Sequence, residues 1–178
     1  ILTVWFFILI HDRTWNNFPK KKIITESKSN LHLIESTVLN QKVSLKELAE
    51  LIPGIVHFNN LDNFGMKYVN SFGEEKFETT LDEIIRQGDS FVQNFFEPGT
   101  LEIFSEPLIQ MVKENDDTRT ISFFQKVQLN KHVDYDWLFT TLKILIGRPE
   151  FVSISQVLSE VDSSTRAISR LLDVNLYL

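Results

Sequence analysis

The segment LIPGIVHFNNLDNFGMKYVNSFGEEKFETTL, residues 51–81, decides the fold of this chain. Residues 55–58 are mostly β-branched or aromatic, which is typical of a strand, and residues 59–65 are dense in turn-forming types. Residues 66–69 return to the strand pattern. Asn70 then offers a side-chain oxygen that can cap a helix directly after it. The segment therefore predicts a strand, a turn, a second strand and a short capped helix.

The order of certain residues in this segment also resembles a known family. The matching positions are Pro53, Gly54, Asp62, Gly65, Tyr68, Val69 and Asn70. They resemble the opening of a PAS domain, in which Pro-Gly leads into the first strand, a polar turn with Asp and Gly follows, and the second strand ends in aromatic-Val-Asn. One position departs from the family pattern, because a glycine usually stands near the place of Glu78. The resemblance implies a small sensory or protein-interaction domain.

Helical spacing of apolar residues predicts helices on both sides of the two strands. One such stripe covers residues 31–52, and another helix is predicted over residues 101–114, where Pro107 fits only in a first turn or at a kink. Two capping signatures mark helix starts: Ser44 with Glu47, and Thr80 with Glu83.

Three further strands are predicted near the end of the chain, over residues 120–129, 137–146 and 151–160. Short loops join them, which favours hairpins and antiparallel pairing. The predicted fold class is α+β: a PAS-like five-stranded antiparallel sheet with short helices on one face and flanking N- and C-terminal helices. The domain boundaries that follow are 1–30 for an N-terminal extension, 31–161 for the PAS-like domain with its N-terminal helix, and 162–178 for a connector helix to an output module beyond this chain.

Composition excludes several classes of function. Hydrophobic residues make up 43% of the chain and Phe occurs 15 times, so a packed core is expected and not a disordered segment. The absence of cysteine excludes disulfides, thiolate catalysis, zinc-thiolate sites and a flavin–cysteinyl adduct. The net charge of -6 argues against a surface that binds nucleic acid.

The chain begins with an apolar run, residues 1–10, followed by Lys20, Lys21 and Lys22. The run is about half of the roughly 20 residues that a membrane span needs. If it is the tail of a span, the lysines would place the domain on the cytoplasmic side. The alternative is a stray strand or a consequence of where the fragment starts. We expect a cytoplasmic domain without membrane contact.

Two histidines are candidates for chemistry. His132, Asp134 and Asp136 alternate, so an extended segment would point all three one way, as a metal site requires, but in a polar hairpin loop they are ordinary turn residues. His57 is either a core or edge histidine or a non-standard haem ligand. We expect no metal, no cofactor and no catalysis. The alternative is a small α+β enzyme that uses His57, His132 and nearby acids.

Seven aromatic residues are candidates for the lining of a ligand pocket, although aromatic residues at such spacing also form plain core. They are Phe58, Tyr68, Phe91, Phe95, Phe104, Phe123 and Trp137. In the connector, Ile168, Leu171 and Leu172 recur at three- and four-residue steps that suit a two-helix seam. The stripe over residues 31–52 either forms a second dimer surface or packs on its own sheet.

The resemblance implies a PAS-type module that regulates a C-terminal output. A helix-turn-helix transcription regulator is the favoured output, and a sensor kinase is the alternative. The expected partners are the chain's own output domain, a second copy bound through the flanking helices, and a small-molecule ligand.

Overall fold

The computed structural model describes residues 28–31, 34, 44–129 and 134–160 of the chain. Most of the predicted N-terminal extension, His132 and the connector with Ile168, Leu171 and Leu172 lie outside these residues. What was predicted for those parts therefore stays a prediction.

Helices and strands follow one another in the predicted order. Their bounds are α1 (Leu45–Leu51), β1 (Ile55–Asn60), β2 (Met66–Val69), α2 (Ser71–Phe77), α3 (Leu81–Gln87), α4 (Asp89–Phe95), α5 (Thr100–Lys113), β3 (Thr120–Val127), β4 (Asp136–Ile144) and β5 (Glu150–Val157). Residues 28–31 and 34 are helical as well. Every predicted strand is present with small shifts at its ends; the last strand, predicted to reach residue 160, ends at Val157.

The five strands form one sheet in the order β2-β1-β5-β4-β3, and every neighbouring pair is antiparallel. The first and last strands of the domain therefore lie side by side in the middle of the sheet. The α+β class and the single antiparallel sheet are confirmed.

The two faces of the sheet have different coverings. Helices α2 to α5 pack on one face, called here the inner face, through residues such as Phe77, Phe91 and Met111. Helix α1 and the helical residues before it pack on the outer face over β1, β2 and β5. The buried contacts there include Leu31, Ile34, Leu48 and Ile52 against Val56, Phe58 and Ile154. Of the two interpretations of the stripe over residues 31–52, these described residues support packing on the sheet of the same chain.

The predicted capping residues begin helices at the positions that the sequence indicates. Ser44 and Glu47 form a complete capping box at the start of α1, and the Thr80 hydroxyl accepts a hydrogen bond from Glu83 N at 3.3 Å at the start of α3. Glu78 ends α2 in the left-handed region, with φ of 48°, so the turn that a glycine usually makes is kept by a glutamate. Pro107 lies inside α5, beyond its first turn. In the described part of the chain, no helix is both long enough and apolar enough to cross a membrane.

Candidate functional site

A row of polar side chains crosses the inner face of the sheet from β3 to β1. Directly opposed residues of antiparallel strands share a face, so the register places these residues together. Ser155 lies opposite Thr140, and Ser153 lies opposite His57. The row, called here the polar diagonal, consists of Gln125, Thr140, Ser155, Ser153, His57 and Asn59.

The half of the diagonal nearer β3 is a continuous hydrogen-bonded chain. Gln125 Nε2 donates to Thr140 Oγ1 at 2.7 Å, and the hydroxyls of Thr140 and Ser155 lie 2.8 Å apart. Both Thr140 and Ser155 are 2% exposed. These hydroxyls are thus held in the interior and oriented by one another, which is the state in which buried polar groups are tolerated.

The half nearer β1 contains the one imidazole on the inner face of the described sheet. His57 Nδ1 lies 2.5 Å from Asn59 Oδ1, and Asn59 Nδ2 donates to the carbonyl oxygen of Phe64 at 2.9 Å. Burial lowers the pKa of His57, because a charged ring would lose its hydration there, and the bond with Asn59 opposes this effect only in part. The ring is therefore neutral at neutral pH.

An apolar cluster lies on each side of the diagonal. The first joins the helices α2, α3 and α4 to the sheet, and it contains Phe77, Phe91 and Phe95, whose ring centroids are 4.7–5.4 Å apart. Its sheet side includes Leu138 and Val157. The second cluster joins α5 to the sheet, with members Leu108, Met111, Leu142, Ile144 and Phe151. An apolar molecule with a polar edge would find matching surfaces on both sides of the diagonal.

The seven aromatic residues predicted to line a pocket are divided between the two faces of the sheet. Phe91 and Phe95 lie on the inner face in the first cluster, and Phe123 packs against the second. Phe58 and Tyr68 stack on each other at 5.2 Å on the outer face, and the register places Trp137 on that face too. The side chain of Phe104 lies outside the described part of the chain. Phe91, Phe95 and Phe123 therefore lie on the inner face of the sheet, whereas Phe58, Tyr68 and Trp137 lie on the outer face.

The polar diagonal was missed from the sequence, apart from His57, which was considered as a ligand or a base. A signal was present, because His57, Asn59, Ser153 and Ser155 alternate with apolar residues in their predicted strands. Period-two alternation usually indicates that one face of a strand is exposed to water, so the sequence did not indicate that these residues are buried.

The junction between β2 and α2 connects the inner-face helices to α1. The side chain of Asn70 accepts hydrogen bonds from Val56 N and Gly73 N, and donates to the carbonyl oxygens of Ala49 and Gly54, at 3.0–3.2 Å. The predicted helix cap is confirmed, but it is one of four bonds. The residue is 1% exposed.

A carboxylate of α1 reaches the same junction. Glu50 accepts hydrogen bonds from the Tyr68 hydroxyl and from Ser71 N, the first amide of α2. Burial acts to raise the pKa of Glu50, but the bonds from Tyr68 and Ser71 outweigh it and lower the pKa. On the far side, Lys76 of α2 forms an ion pair with Glu160, just beyond β5. Helix α2 therefore contacts α1, which precedes the first strand in the sequence, and Glu160, which follows the last strand.

A metal site can be sought only among the described residues. They contain no group of three or more His, Asp or Glu side chains that could hold a metal ion. Asp136 accepts hydrogen bonds from Trp137 N and from the Ser159 hydroxyl, which is the role of a strand-end residue. His132 lies outside the described residues, so the His132–Asp134–Asp136 alternative is not tested.

Comparison with known proteins gave structural likenesses only. No family model matches this sequence, and no curated protein matches it. A solved PAS domain of an HTR-like protein from Haloarcula marismortui is similar with a TM-score of 0.47 and 14% identity, over 64% of this chain and 93% of that one. The PAS domain of the fruit-fly ELK potassium channel gives 0.46 and 10%, over 60% and 88%.

A third likeness is the PAS domain of the RpfR quorum-sensing receptor of Cronobacter turicensis in complex with BDSF, with a TM-score of 0.43 and 12% identity, over 57% of this chain and 88% of that one. The fold of the present chain is decided by its own strand order and by the helices between its second and third strands. The strand order and the helices between β2 and β3 give the chain the PAS-like α+β fold that its sequence predicts.

Proposed function

We propose that this chain is a sensory module that binds a small-molecule ligand on the inner face of its sheet, at the polar diagonal. The observation that carries the proposal is the diagonal itself. Six polar side chains in the middle of a helix-covered face cost desolvation that apolar residues would avoid. They stand between two apolar clusters, so together they form a surface that can recognise an apolar molecule with a polar edge. The module is not an enzyme in this proposal, since the partner of His57 is an amide and not a carboxylate.

The response is proposed to pass through helix α2. Phe77 of α2 belongs to the apolar cluster beside the diagonal, so a ligand that rearranges this cluster would shift α2. The helix is bonded to α1 through Glu50 and to Glu160 through Lys76. A ligand that binds one position of α2 better than another would thereby bias both flanking segments.

The output and the assembly belong to the same proposal. A C-terminal output regulated through residues 162–178 fits this scheme, with a helix-turn-helix transcription regulator as the first candidate and a sensor kinase as the second, both by analogy of fold. A cytoplasmic location and a homodimer through Ile168, Leu171 and Leu172 complete it. Analytical ultracentrifugation of the Ile168→Glu, Leu172→Glu double variant tests the dimer; association as strong as that of the wild type would refute the seam.

Two neighbouring threonines on opposite faces of β4 provide the test of the ligand site. Thr140→Val removes a hydroxyl of the diagonal, and Thr141→Val removes a hydroxyl that lies 3.2 Å from Ser122 Oγ on the outer face. Both side chains are at most 2% exposed, so the two changes are matched in burial. A panel of small molecules is screened by thermal shift and by amide NMR spectra. Hits should weaken with Thr140→Val and bind Thr141→Val as they bind the wild type. Hits that respond equally to both changes, or an absence of hits, would refute the site.

A further inference from the structure

Contacts of Asn59 determine where the hydrogen of the His57 ring lies. A carbonyl oxygen only accepts hydrogen bonds, so the Asn59 atom 2.9 Å from the Phe64 carbonyl oxygen is the donor Nδ2. The other amide atom is then Oδ1, which only accepts, and it lies 2.5 Å from His57 Nδ1. Nδ1 must therefore carry a hydrogen. This tautomer is the opposite of the one that free histidine favours.

The second ring nitrogen is left as an acceptor. A neutral imidazole with its hydrogen on Nδ1 has a lone pair on Nε2. Nε2 has no hydrogen-bond partner among the described residues. His57 also keeps part of its surface accessible, whereas Asn59 and Ser153 beside it are buried. A strong acceptor thus stands at an accessible point of an otherwise buried face.

We propose that His57 is a specificity-determining residue whose Nε2 accepts a hydrogen bond from the ligand, so that the polar diagonal selects uncharged molecules that offer an N–H or O–H donor. The six side chains of the diagonal are neutral, and an ionic ligand would lose its hydration there without a counter-charge from them. The ligand preference rests on the function proposed above, but the tautomer of His57 does not.

Nitrogen NMR of the uniformly ¹⁵N-labelled chain tests the tautomer. Long-range proton–nitrogen spectra distinguish a protonated from an unprotonated ring nitrogen, and the His57→Gln variant identifies the His57 signals among the four histidines. At pH 7 we expect one neutral form with a protonated Nδ1 and an unprotonated Nε2. A protonated Nε2, or the mixture typical of free histidine, would overturn the inference.

Two substitutions of Asn59 probe the cause of this tautomer. Asn59→Leu removes the acceptor, so the ring hydrogen should move to Nε2. Asn59→Asp keeps an acceptor beside Nδ1, so the hydrogen should stay on Nδ1 while the pKa of His57 rises. A hydrogen that stays on Nδ1 in the leucine variant would show that Asn59 is not the cause. If that variant does not fold, the wild-type spectrum still decides the tautomer.

A pair of probes of the same shape tests the ligand preference. Indole carries an N–H donor, and benzofuran replaces that group with a weak acceptor. Titration monitored at the His57 signals should show indole binding about tenfold more tightly than benzofuran. Equal binding, or tighter benzofuran, would overturn the donor preference while leaving the ligand site intact. Binding of neither probe would count against the proposed site and the preference together, whatever the tautomer.

Discussion

Replacing Asn70 by alanine should destabilise the domain much more than the loss of an ordinary helix cap. The side chain makes four hydrogen bonds to backbone groups of α1, β1 and α2 and the turn before β1, and it is 1% exposed. Its removal leaves these groups without partners in the interior. At about 1 kcal/mol for each lost bond, Asn70→Ala should cost roughly 3–5 kcal/mol. A simple cap would predict only about 0.5–2 kcal/mol.

Thr80 provides the matched control for this prediction. Its hydroxyl caps α3 with one bond to Glu83 N, and its side chain is exposed. Thr80→Ala should therefore cost about 1 kcal/mol. Free energies of unfolding come from urea titrations monitored by circular dichroism, with linear extrapolation to water.

A third variant separates the cap from the other bonds of Asn70. Asn70→Asp keeps the oxygen that accepts from Val56 and Gly73, but it sets a second oxygen against the carbonyls of Ala49 and Gly54. It should remain clearly less stable than the wild type. If Asn70→Asp matches the wild type, or if Asn70→Ala costs no more than Thr80→Ala, the reasoning from four bonds is wrong.

Three further predictions concern single residues. Burial lowers the folded-state pKa of His57 from 6.5, so the unfolded chain takes up the proton first as the pH falls. The free energy of unfolding should therefore decrease as the pH drops below about 6.5, and His57→Gln should reduce this decrease in urea titrations. Equal pH dependence of the free energy of unfolding in the two proteins would contradict the burial of the ring. Glu78→Gly should be about 1 kcal/mol more stable than Glu78→Ala, because both variants lack the glutamate side chain and only glycine adopts φ of 48° without strain. Equal melting points of the two variants would argue against the left-handed turn. Trp137 is 4% exposed, so Trp137→Ala should cost about 3–5 kcal/mol in the same titrations, and a loss below about 1 kcal/mol would place this ring outside the core.

The fold could be predicted because local signals agree with the global layout. Turn residues separate the strands, and capping residues such as Ser44 and Asn70 begin helices where the structure has them. Short loops favour antiparallel pairing of β1 with β2, of β3 with β4 and of β4 with β5, whereas the pairing of β1 with β5 joins distant parts of the chain. The ends of strands could not be predicted to the residue, because Leu129 and Leu158 are buried beyond the last pairs of β3 and β5 and thus continue the apolar pattern.

The candidate site could be predicted only in part, because the sequence does not show which face of a strand a helix will cover. In β4, Trp137 and Leu138 are 4% and 1% exposed although they point to opposite faces. Apolar character therefore could not assign either residue to a pocket. Ser153 and Ser155 mislead in the other direction, since helices on the inner face bury side chains whose alternation is typical of a strand in contact with water.

Pro107 has a consequence for the way in which helix α5 opens. A proline has no amide hydrogen, so the α-helical hydrogen bond to the carbonyl four residues earlier cannot form. The C-terminal half of the helix is anchored by Leu108 and Met111, which are 6% and 0% exposed. The first turns from Thr100 can then fray without breaking that anchor, and their amide hydrogens should exchange with deuterium faster than those near Met111. Local unfolding of this kind would loosen the N-terminal half of α5 while its C-terminal half stays packed on the second apolar cluster.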